Sequence, residues 1–132
     1  MRRLFLLGDH ALFDLLSELG SRLGYEEIHR TDEPPVTLGA DDHVVVGADG
    51  LRARDLLARV LAAGDPGYLG LVASEKDSLV ALLKLSADRV AKARLDRIVA
   101  PCGAAIGAVT PDEQAIAVAA ELIAARRRGQ AN

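Results

Sequence analysis

At 132 residues the chain fits a single domain, residues 1-132, large enough to bury roughly two thirds of its unfolded surface. Half of the residues are hydrophobic but only 3% are aromatic, so the core must be built from Leu, Val, Ala and Ile, which suits alternating helices and parallel strands better than an aromatic-rich sandwich. A formal net charge of -3 excludes the electrostatic footprint of a nucleic-acid binder or of a protein held on an anionic membrane, and a single cysteine excludes an internal disulfide and any CxxC motif.

In chain order, Leu4-Phe5-Leu6-Leu7 ending in Gly8 reads as a buried strand and a tight turn, the opening of a nucleotide-binding α/β fold. Leu12, Leu16, Leu19 and Leu23 recur at helical spacing up to Gly24. Tyr25 to Arg30 is the second predicted strand, stopped by Thr31-Asp32-Glu33-Pro34-Pro35. After a loop, His43-Val44-Val45-Val46-Gly47 forms a third strand, flanked by the loop charges Asp41-Asp42. Ala53, Leu56, Leu57, Val60 and Leu61 mark a helix closed by Gly64-Asp65-Pro66-Gly67. Tyr68 to Ala73 is a fourth strand, with Ser74 placed to cap a helix whose apolar face is Leu79, Leu82, Leu83 and Leu85. A further amphipathic piece from about Asp88 to Leu95 leads into Ile98-Val99. No signal peptide precedes these elements, and no uncharged apolar run is long enough to span a bilayer, so the expected location is cytoplasmic.

The last helix is the most strongly specified. Thr110 and Glu113 form a capping box, with Pro111 at the first helical position. Beyond them only Gln114 and Glu121 interrupt an apolar run to Ala125, which predicts a helix sandwiched between other elements. Glu121 must lie at its exposed edge or be tied to an arginine. Arg126, Arg127 and Arg128 complement the helix dipole, and Gly129 is placed to end the helix. The alternation of strands and helices gives a Rossmann-like α/β fold: a three-layer, open, mostly parallel sheet with helices on both faces.

The stretch from Arg97 to Glu113, with Ala100-Pro101-Cys102-Gly103-Ala104-Ala105-Ile106-Gly107-Ala108-Val109-Thr110 inside it, resembles the R-I-x-A-P-I-G-L-D-I-G-A-x-T-P-x-E signature of the XdhC/CoxI family. Cys102 replaces the usual Ile, and Ala104-Ala105 the usual Leu-Asp. Leu4 to Gly8, Leu23-Gly24-Tyr25, Gly67 to Ser74 and Ala120-Glu121-Leu122-Ile123 are similar to further family segments. The resemblance covers the C-terminal Rossmann-like half of a full-length member, without the N-terminal cysteine-bearing portion. It implies a role in maturing molybdenum hydroxylases of the xanthine or carbon monoxide dehydrogenase type, by holding the molybdenum cofactor (molybdopterin) and handing it over.

In an open α/β sheet, ligands bind beyond the carboxyl ends of the strands. The candidate cofactor-binding residues are therefore Gly8, Asp9, His10, Thr31, Asp32, Gly47, Ala48, Asp49, Ser74, Pro101, Cys102 and Gly103. A dinucleotide site needs G-x-G-x-x-G after the first strand, and Gly8-Asp9-His10-Ala11-Leu12-Phe13 keeps only the first glycine. Asp9, a good helix cap, would also oppose a phosphate there. Cys102 reads as a small buried hydrophobe more than as a nucleophile, and His10, His29 and His43 are dispersed, as solvated or capping residues rather than metal ligands. No catalytic residue and no metal set is assigned.

Three readings follow. The first is a binding and assembly module of the XdhC/CoxI kind, with a molybdenum hydroxylase or its assembly proteins as partners. The second is an NAD(P)-binding oxidoreductase or nucleotide sensor. The third is a structural partner subunit with a degenerate nucleotide site, its apolar C-terminal helix packed against a second chain; a homo-oligomer is among the expected partners.

Overall fold

The computed structural model describes residues 1–103 and 106–130, so Ala104-Ala105 of the signature lie outside the described residues. Five strands, β1 (Arg3–Gly8), β2 (Glu27–Thr31), β3 (Asp42–Gly47), β4 (Tyr68–Val72) and β5 (Ile98–Val99), form one parallel sheet in the order β2-β1-β3-β4-β5. The chain steps from β1 to β2 in one direction and then places β3 on the other side of β1. Strand order therefore reverses between β1 and β3.

Alternation along the strands explains the layers. Phe5, Leu7, Val44 and Val46 point to one face and pack with Leu56, Leu57 and Val60 of α2 (Gly50–Ala63) and Leu85 of α3 (Glu75–Ala87). Leu4, Leu6 and Val45 point to the other, against Phe13 and Leu16 of α1 (Phe13–Arg22) and Val118 and Leu122 of the C-terminal helix. β3, at the centre of the sheet, is buried along its whole length. That is why its central Val44-Val45-Val46 run is apolar on both faces.

Several expectations are corrected. The short helix α4 is one turn, Lys92–Leu95, because the chain turns at Arg89 in the left-handed region instead of running helical from Asp88. In α3 the inward face is Ser78, Ala81 and Leu85, while Leu79 and Leu83 are exposed. α5 (Pro111–Gln130) runs through Gly129 without ending there. It is not sandwiched: Ala115, Val118, Ala119 and Leu122 are buried, but Ile116 and Ile123 face solvent. The capping box is present, with Glu113 N–H donating to Thr110 Oγ1 at 3.2 Å and Thr110 N–H to Glu113 Oε1 at 2.9 Å.

Two residues expected at the surface are buried at the amino end of the sheet. Asp42 belongs to β3 and accepts from Arg3 Nε (2.8 Å), Arg3 Nη2 (2.9 Å) and the Gly39 N–H (2.8 Å), contacts that outweigh burial and hold its carboxyl below the usual range. His43 is likewise buried, its Nδ1 bonded to the Tyr25 hydroxyl and its ring edge-on to Tyr25 and Tyr68. Burial, with the charges of Arg126 and Arg2 adding to it, pushes its pKa down to about 4. Arg126 caps this column by lying over the Tyr25 ring. His29 is exposed on β2, beside Glu27. Among the described residues no helix is long and apolar enough to cross a membrane.

Candidate functional site

A ligand in an open α/β sheet belongs where strand order reverses, here between the carboxyl ends of β1 and β3. A cavity of about 340 Å³ lies there. Asp9 and His10 enter it from the loop after β1, Gly47, Ala48 and Asp49 from the end of β3, and Ser74 from the end of β4. Arg52 and Asp77, in the first turns of α2 and α3, complete its polar lining. Six of the residues expected from the sequence are thus brought together. Gly8 supports them from below: its φ of +87° turns the chain, and a Cβ there would stand 2.3 Å from the Gly47 carbonyl oxygen.

Much of the backbone that would cradle a pyrophosphate is already engaged. Asp9 N–H donates to Gly47 C=O at 3.0 Å, tying the loop after β1 across the reversal point. Leu12 N–H donates to His10 Nδ1 at 3.1 Å, and Phe13 N–H to His10 C=O at 3.0 Å. α1 starts only at Phe13, so Asp9 is not its cap, contrary to expectation, and His10 serves the helix start instead. In α3, Asp77 N–H donates to Ser74 Oγ at 3.1 Å, as expected of that cap. The start of α2 differs: its flanking residue Asp49 makes no side-chain capping bond, and Arg52, one turn in, is held by Asp32 at 2.7 Å. The crevice therefore combines three carboxylates, Asp9, Asp49 and Asp77, with the Arg52 guanidinium and the uncapped first turn of α2.

The other expected residues fall elsewhere. Pro101, Cys102 and Gly103 line an adjoining cavity of about 320 Å³ with Leu12, Gly107 and Gln114, and the two cavities share Val72 and Ala73. Thr31 and Asp32 line neither of them. They end the edge strand β2, where Thr31 Oγ1 accepts from Glu33 N–H, and Asp32 touches the site only through Arg52. Arg52 and Asp77 are not strand-end residues: each sits in the first turn of the helix that follows β3 or β4. A strand-end rule that includes the first helical turn after β3 and β4 covers both.

Beside the second cavity lies a connected polar cluster. The Tyr68 hydroxyl donates to Glu121 Oε1 at 2.7 Å, and Gly103 N–H donates to Glu121 Oε2 at 2.8 Å. Glu121 is thus half-buried and joined to a tyrosine and a backbone amide, rather than lying at the exposed edge of the helix. Gly70 makes room for this: a Cβ on it would meet the Tyr68 hydroxyl at 2.6 Å and Cys102 Cβ at 2.9 Å. Burial, and after it the Glu121 charge, pushes the Cys102 thiol up to about 12. Such a thiol is almost wholly protonated at neutral pH and a poor nucleophile. Among the described residues no group of three or more His, Cys, Asp or Glu is arranged to hold a metal ion.

A family model described as the XdhC Rossmann domain matches residues 4–122, a span that includes every residue of both cavities. No curated protein matches the chain.

Proposed function

The chain belongs to the XdhC Rossmann domain family, and from that premise we propose that it is a non-enzymatic binding module that takes a molybdenum-pterin cofactor as cargo during assembly of a molybdenum hydroxylase. One observation carries the reading: the reversal-point crevice has its Asp9 amide committed to Gly47, and offers instead carboxylates together with an uncapped helix start and Arg52.

The donor set suits such a cargo. A pterin presents adjacent N–H donors on its aminopyrimidinone edge, which a carboxylate accepts in pairs, the role given to Asp9 and Asp77. The terminal phosphate is assigned to the first turn of α2 and Arg52, where amides and a guanidinium favour an anion. A volume of about 340 Å³ lies within the range of small-molecule sites. The chemistry belongs to the cargo once delivered; this chain's residues bind and orient it.

The test is co-production of the protein with a pterin-cofactor pathway and a client hydroxylase, followed by isolation, oxidation and fluorescence detection of released pterin. The expected result is pterin and hydroxylase recovered with the protein. Recovery of neither contradicts the reading. A parallel calorimetric titration with NAD(H) and NADP(H) is expected to stay flat, and saturable heats would favour a nucleotide-binding role instead.

A further inference from the structure

We propose that the outer face of α5 is the seam of a two-fold homodimer in which the α5 helices of two copies pack antiparallel. Along α5, Glu113, Ile116, Ala120, Ile123 and Arg127 are separated alternately by three and four positions, the spacing of a coiled-coil seam. All five are exposed, with Ile116 at 54% and Ile123 at 38%, although the opposite face of the same helix is buried in the core. Ala124 widens the stripe and is also exposed.

The occupant follows from charge and shape. The first turn carries Asp112 and Glu113, and the last turn Arg127 and Arg128. A parallel pair would set like charges together. An antiparallel pair crossing at Ala120 sets the acidic end of each helix on the basic end of the other, so the face is complementary to itself under a two-fold operation. The same crossing places Ile116 opposite Ala124 of the second copy and Ala120 opposite Ala120. Ile116 thus meets a small side chain, and with alanine at the crossing point the two backbones can approach to about 8 Å.

A seam of one helix per copy falls in the small class of interfaces, below about 1,200 Å², so the dimer is expected to dissociate in the micromolar range. The test is sedimentation of the intact protein from about 1 µM to about 500 µM, which brackets that range. The native protein should pass from monomer to dimer. Ala120→Glu places two carboxylates on the two-fold axis and should weaken association by at least about tenfold. Because Ala120 is exposed, the variant should retain the native circular dichroism. Ala120→Cys should oxidise to a linked dimer much faster than Leu79→Cys, an exposed site on the opposite layer. A native protein that stays monomeric throughout, a dimer untouched by Ala120→Glu, or equal cross-linking at the two cysteines would each overturn the proposal.

Discussion

The carboxyl rim of one sheet contains two neighbouring regions built on opposite principles. Between β1 and β3 it is an open crevice whose side chains, Asp9, Asp49, Arg52 and Asp77, remain largely exposed. Beyond β4, beneath the adjoining cavity, the polar groups of Tyr68, Glu121 and Gly103 instead bond one another, in a cluster that continues through the His43 and Tyr25 rings to the amino end of the sheet. Polar groups that bond one another inside a low-dielectric core stabilise the fold, whereas exposed polar groups around a cavity are left for a ligand. Substitutions should therefore separate cleanly, with stability lost in the internally bonded region and binding lost in the open one.

The largest effect is expected at Glu121. Glu121→Ala leaves the Tyr68 hydroxyl and the Gly103 amide without their acceptor, and should cost about 2–4 kcal/mol in urea unfolding. Next comes the acid limb of the stability curve. His43 has a folded pKa of about 4, below its ordinary 6.5, so the unfolded chain binds more protons between those values. Stability from this residue is complete above about pH 6.5 and is lost as pH falls toward about 4, by up to about 3 kcal/mol. In His43→Gln this part of the pH dependence should vanish. A variant as acid-sensitive as the native protein would place the titration elsewhere.

Tyr68→Phe removes one hydroxyl and keeps the ring against His43, so a loss of about 1–2 kcal/mol is expected. The smallest stability effect belongs to the open region: Asp77→Asn should shift unfolding by less than about 0.5 kcal/mol while weakening pterin binding measured by fluorescence. If Asp77→Asn instead unfolds the protein, the contrast between the two regions fails.

The sequence made the order of strands and helices legible, because apolar runs alternate with helical periodicity and turn residues separate them. The rotation of α3 was not legible. Leu79 and Leu83 mimic a buried stripe beside Leu82 and Leu85, and only packing against α2 selects the face bearing Ser78, Ala81 and Leu85. Within the site, Asp9, His10, Asp49 and Ser74 follow from the strand-end rule, while Arg52 and Asp77 sit one helical turn farther on. The Glu121 partners were hidden for another reason. Tyr68 lies 53 positions away and reaches Glu121 across Gly70, a long-range pairing that local pattern does not encode.

The most direct measurement follows the Asp9 backbone amide by heteronuclear NMR during titration with a pterin phosphate and, separately, with NAD(H). With the pterin, the signals of Asp77 and Arg52 should shift while the Asp9 amide keeps its bond to the Gly47 carbonyl, and NAD(H) should leave all three unchanged. Saturable movement of the Asp9 amide with NAD(H), and none with the pterin, would contradict the assignment of this crevice.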